Sequence, residues 1–183
     1  LILLNGEKVD HLYNRRERLI FIISELLQAK QPLKLFYFAE LLKVSDATIS
    51  NDLNEAESWL KEFSLVLFRK QGYGLYIEGK EKDIRKALID ILYDSLNGEQ
   101  IKDIVSQYVS KLDASTGKMS LLRKKMLSLI DIDTLRVIEE SISIAEKRLG
   151  FKFAEGSYSS LTIHFALAVK RMDMGGNILV KPE

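Results

Sequence analysis

The stretch LFYFAELLKVSDATISNDLNEAESWL, residues 35 to 60, constrains the fold more tightly than any other. Its first apolar run lasts about two helical turns and breaks at Lys43, Val44 and Ser45. Ser45 suits an N-cap, because its hydroxyl can accept from the exposed amides of the first turn that follows. Beyond it Ile49, Leu53, Ala56 and Leu60 recur at three and four, the spacing of one buried helical face. That face leaves Thr48, Asn51, Asp52 and Glu55 expected on the outer surface. A short helix, a tight turn and a capped helix hold two helices at a steep angle, as in a helix-turn-helix.

The flanking sequence extends the pattern. From Asn14 to Ala29, Leu19, Ile22, Ile23, Leu26 and Leu27 predict an amphipathic helix ended by KQP, with Arg15, Arg16 and Arg18 in its first turn. After Phe63 the period changes. SLVLFRK and LYIEG read as two short strands, and QGYG between them reads as a Gly-bearing hairpin turn. Three helices followed by such a hairpin predict a winged helix over residues 14–79, preceded by a linker, residues 1–13, from a missing upstream module.

Downstream, EKDIRKALIDILYDSL restores the helical period through Ile84, Leu88, Ile91 and Leu92, and Ile101 to Leu112 predicts a further amphipathic helix. DASTGKMS, residues 113 to 120, is small, polar and Gly-containing, the best linker in the chain. Residues 80–118 are therefore read as connecting helices and linker. LLRKKMLSLI, DTLRVIEESISIAEKRLG and SYSSLTIHFALAVKRM read as three helices of an all-α unit over residues 119–183. The expected class is mainly α, with one small β-hairpin.

Charge sets a problem for the obvious function. The chain of 183 residues has a formal net charge of +1, so attraction to nucleic acid would have to come from a local patch. Residues 44 to 60 contain no Lys or Arg, while Asp46, Asp52, Glu55 and Glu57 face or flank any duplex laid on this helix. Base edges could be read by Thr48, Ser50, Asn51 and Asn54, since an asparagine amide pairs in bidentate fashion with adenine. The phosphate term would then fall to Arg15, Arg16, Arg18, Lys43, Arg69 and Lys70, framing the helix from its neighbours. Acids in an early helical turn also suit the helix N-terminus and can orient nearby cations.

Other chemistries find little support. There is no cysteine, which removes disulfides, thiolate nucleophiles and cysteine-ligated zinc. His11 and His164 lie far apart and cannot supply the three or more ligands of a metal site. Nucleophile, P-loop and dinucleotide motifs do not occur, so neither catalysis nor a cofactor is expected. Nothing approaches the roughly 18 consecutive apolar residues of a membrane span, and the cytoplasm is the expected compartment.

RRERLIFIISELL, FAELLKVSDATISNDLNEAESWL and FSLVLFRKQGYGLYIEGKEKDIRKAL resemble the second N-terminal winged helix of bacterial transcription activators controlled by the sugar phosphotransferase system, the PTS. IDTLRVIEESISIAEKRLGFKFAEGSYSSLTIHFALAVKRM resembles the first half of their PTS regulation domain. The resemblance implies a homodimeric activator of a carbohydrate-uptake or utilisation operon that binds double-stranded promoter DNA. It implies phosphorylation of His164 by PTS phosphocarrier or sugar-permease domains, with Arg171 at the family's following arginine. Related antiterminators carry the same regulation domain behind an RNA-binding module; a winged helix in that place implies DNA.

The sequence departs from the family in lacking the usual upstream helix-turn-helix, the basic residues often found at positions like Asp46, and the second half of the regulation domain. Taken without the family, His164 lies in the apolar run LTIHFALAV, where a packed histidine is the plain reading. Two alternatives stand beside the main expectation. One is a dimerisation or protein-interaction module whose winged helix no longer reads DNA; the other is a virulence regulator of the related Mga-like type.

Overall fold

The computed structural model describes residues 13–95, 128–130 and 132–176. The N-terminal linker, His11, the expected helix from Ile101, the linker at 113 to 120 and most of LLRKKMLSLI lie outside the described residues. The described part is mainly helical, with one two-stranded antiparallel hairpin after the helix-turn-helix.

Helix α1, Arg15–Gln28, opens on a reciprocal capping box: Asn14 Oδ1 accepts from the Glu17 amide at 3.0 Å, and Glu17 Oε2 accepts from the Asn14 amide at 2.9 Å. Ile22, Ile23, Leu26 and Leu27 are buried as the spacing predicts, whereas Leu19 is only partly buried and Ile20 and Phe21 are buried as well. Helix α2, Leu35–Leu42, inserts the fully buried Phe38 and Leu42 between its neighbours and ends at Lys43, held in the left-handed region at φ 55°. Helix α3, Asp46–Glu62, starts at the predicted Ser45 cap, whose Oγ accepts from the Thr48 amide at 3.1 Å.

A Schellman motif ends α3. The Leu65 amide donates to Leu60 O and the Ser64 amide to Lys61 O, both at 3.0 Å, with Ser64 at φ 58° where glycine is usual. Leu60 and Leu65 are both buried, the apolar contact that accompanies this motif.

Strands β1, Val66–Lys70, and β2, Gly74–Glu78, pair with Phe68 opposite Tyr76. Leu67 and Leu75 point inward to the core, whereas Phe68 and Tyr76 stack on the outer face at 5.0 Å between centroids. A feature the sequence pattern does not announce anchors the hairpin. Leu33 bridges to Leu75, with N to O distances of 2.9 and 2.7 Å, adding one residue of strand before α2.

Helix α4, Glu81–Ser95, packs Ala87, Leu88, Ile91 and Leu92 against α1. Helices α5, Ile132–Leu149, and α6, Glu155–Asp173, pack on each other, and α6 also touches α4. Ile163, Ala166 and Leu167 bury one face of α6. Its opposite side leaves Phe165 and Met172 about half exposed.

Candidate nucleic-acid interface

Helix α3 is positioned from below by its apolar stripe: Ile49, Leu53, Ala56 and Leu60 are fully buried. The opposite face carries Asn51, Asn54 and Glu55 exposed, with Thr48 and Ser50 half-buried. Thr48 Oγ1 lies 2.9 Å from Ser45 Oγ, so this hydroxyl is already engaged in the cap.

Asp52 corrects the expectation of an outward side chain. It is 2% exposed and forms a two-pronged pair with Arg18, Nε to Oδ2 at 2.7 Å and Nη2 to Oδ1 at 3.2 Å. Arg18 also donates from Nη1 to Tyr13 O at 3.0 Å, and the hydrogen bond to Asp52 raises its pKa. The physical reason lies in the helical wheel. Position 52 stands three residues after Ile49 and four before Ala56, at the margin of the core stripe, where a carboxylate needs a cation from the adjoining helix.

The neighbouring cations are also engaged. Arg15 Nη2 lies 2.8 Å from Glu55 Oε2, with its Nε 3.8 Å from Asp52. Arg16 pairs with Asp94 on α4. From the hairpin, Arg69 donates to Asn54 Oδ1 at 2.9 Å and to Glu57 Oε2 at 3.2 Å. Lys61, with Arg69 in a smaller part, holds the Glu57 carboxyl below the usual carboxylate range. Among the described residues, Lys43 and Lys70 are the nominated cations that no carboxylate holds.

Arg15, Arg18, Thr48, Asn51, Asp52, Asn54, Glu55 and Ser58 thus line one shallow polar concavity on the outer side of α3. The hairpin meets this concavity at Asn54, through Arg69 of β1. Lys34, which the sequence reading did not single out, donates from Nζ to Gly72 O at 2.6 Å and to Tyr73 O at 2.9 Å. Lys70 Nζ sits 5.5 Å from the centre of the Tyr73 ring. A cation at 34 could have been noted from KQPLK, but its partner carbonyls belong to a turn about forty residues away, which no local pattern links.

The second candidate site is separate. His164 is exposed on α6, a correction to the packed histidine that its apolar surroundings favour. Position 164 lies next to the buried Ile163 and two before the buried Ala166, at the edge of the core stripe, and its ring turns to solvent. Arg171, two turns on, is directed inward. Its Nε and Nη2 meet the Glu81 carboxylate at 2.9 and 2.6 Å, and its Nη1 donates to Leu27 O at 3.0 Å. Among the described residues no group of three His, Cys, Asp or Glu could hold a metal ion, and no helix is long and apolar enough to cross a membrane.

Residues 6–91 match the family model of the Mga helix-turn-helix domain. The chain is similar to transcriptional regulator ManR of Bacillus subtilis (strain 168), 27% identical over 168 residues, which are 92% of this chain and 23% of that protein. It is also similar to the probable licABCH operon regulator of the same organism, 26% identical over 156 residues, 85% of this chain and 21% of the relative. The chain spans less than a quarter of the length of these curated relatives. No solved structure matches it. Residues 6–91 are thus similar to a helix-turn-helix domain of the Mga type, in a chain whose relatives are transcriptional regulators.

Proposed function

We propose that this chain is part of a DNA-binding transcriptional activator of a carbohydrate-uptake or utilisation operon, working as a homodimer in the cytoplasm. The observation that carries the reading is the capped helix α3, which presents Thr48, Ser50, Asn51 and Asn54 on one face beside the hairpin wing. Asn51 and Asn54 have the donor and acceptor pair that reads adenine, and Lys43 and Lys70 flank the face as phosphate contacts. Arg15, Arg16 and Arg69 join them once their carboxylate partners are exchanged for phosphate. Arg18 orders α3 through Asp52 from beneath.

In this reading residues 14–79 form the DNA-binding winged helix, residues 80–118 connect, and residues 119–183 begin a PTS regulation domain. His164 accepts a phosphoryl group from a PTS phosphocarrier or a sugar-permease phosphorylation domain. A neutral imidazole nitrogen attacks phosphorus; the new N–P bond forms as the donor's bond to phosphorus breaks, and the donor keeps the electron pair. Support comes from the exposure of His164 and from the homology to regulators. The added charge on α6 then resets dimer association and the spacing of paired reading helices.

The test is selection of random duplex DNA by the chain and by its full-length dimeric parent, followed by titration of the winners at two salt concentrations. Enrichment of one two-fold motif by both is the expected result. Enrichment by the parent alone would move recognition elsewhere and favour a second reading, in which this winged helix contacts protein. One observation favours that reading: the carboxylates of α3 hold most of the surrounding cations.

A further inference from the structure

Two kinds of ion pair meet on α3, and their exposure separates them. The Arg18 and Asp52 side chains are 14% and 2% exposed, so that pair is sealed into the fold. Arg15 and Glu55 are 64% and 46% exposed, and Arg69 and Glu57 are 31% and 36%. Exposed pairs of this sort are weak enough to exchange in water for another anion. Phosphate is such an anion, and it binds arginine in the same forked geometry as carboxylate.

Asn54 adds a link between base reading and phosphate binding. Its Oδ1 accepts from Arg69, which holds the amide toward the wing in the free protein. Bidentate contact with adenine needs that oxygen as well as the amide nitrogen. Turning the Asn54 amide onto a base edge draws Oδ1 away from Arg69, which leaves the guanidinium held by Glu57 alone and freer to exchange that carboxylate for a backbone phosphate. On a duplex lacking that edge, Asn54 and Glu57 keep Arg69.

We propose that Glu55 and Glu57 are specificity-determining residues, holding Arg15 and Arg69 away from the backbone of any duplex until contacts made by the reading face release them. This rests on the DNA reading above. It also gives the acidic helix a purpose. Phosphate contacts strengthen correct and incorrect sites alike, so cations withheld from the free protein lower the incorrect background first.

The experiment uses the full chain with Glu57→Gln, Glu55→Gln and the double variant Glu57→Gln/Arg69→Gln. Each is titrated by fluorescence anisotropy against a random-sequence duplex and against the best duplex recovered by selection, at two salt concentrations. Both glutamates lie at the surface, and the emission of Trp59 checks that the fold is kept. Glu57→Gln is expected to bind the random duplex about tenfold tighter and the selected one less than about threefold tighter, with a salt slope steeper by about one. Glu55→Gln is expected to move the same way.

The gain is expected to vanish when Arg69 is also replaced, since its source is the released arginine. A gain that survives Arg69→Gln would mean plain loss of repulsion and would overturn the proposal, as would equal gains on both duplexes or no change. If the wild-type chain and every variant bind no duplex, the DNA reading itself fails and this inference with it. Wild-type binding with an unresponsive Glu57→Gln sinks the inference alone.

Discussion

Asp52 ties α3 to α1 through its pair with Arg18. Replacing it with alanine leaves Arg18 charged and nearly enclosed, with Tyr13 O as its remaining acceptor. Breaking a buried pair in this way costs about 3 kcal/mol. Urea unfolding should show that loss as a lower midpoint with an unchanged slope. Lys43 makes the opposite case. Its left-handed backbone at φ 55° costs a lysine roughly 1 kcal/mol relative to glycine. Lys43→Gly should therefore raise stability by up to that amount while weakening binding to every duplex, and the pair of measurements separates fold from function at one position. Ser45 as a cap and the buried stripe of α3 were legible in the sequence, because both are local and periodic. The inward turn of Asp52 was not, because its cause is an arginine on another helix, and that arginine was expected to bind phosphate.

Among the elements, the hairpin was readable from its change of period and from Gly72 and Gly74, but its mooring to Leu33 was not. A one-residue bridge leaves no alternation to detect. Gly74 makes that mooring possible. It has φ +131°, and a Cβ placed there would stand 2.7 Å from Leu33 O. Gly74→Ala should cost about 2 kcal/mol through backbone strain and the clash with that carbonyl. Amide exchange at Leu33 and Leu75 should accelerate well before exchange in α1, because the bridge opens while the helical core persists. Unchanged protection at both amides would show that the hairpin is held by its inward residues alone. The wing then moves relative to α3, so duplex binding should fall for all sequences together, unlike the selective loss expected from Asn51→Ala.

For the whole molecule, the pairing of Arg171 with Glu81 links α6 to the start of α4, and its bond to Leu27 O supplies a partner for a carbonyl in the last turn of α1. No sequence pattern could join positions 90 residues apart, although the resemblance had marked Arg171. With the side chains 12% and 14% exposed, this contact is sealed, and Arg171→Ala leaves the Glu81 carboxylate only the longer pair with Arg85, whose Nη1 is 3.6 Å away. The expected loss is roughly 3 kcal/mol, borne chiefly by the docking of α6. Trp59, the single tryptophan, reports the surroundings of α3, whereas far-UV circular dichroism sees every helix. In the wild type the two transitions should coincide. In Arg171→Ala the dichroism transition should begin at lower urea than the Trp59 transition, since α6 would loosen while α1 to α4 remain folded. Arg171→Lys should not restore coincidence, because an ammonium cannot span both Glu81 oxygens and Leu27 O at once. Coincident transitions in all three chains would mean that the apolar contacts of α6 hold the two parts together without the arginine, and the phosphoryl signal proposed for His164 would then have to reach α3 by another route.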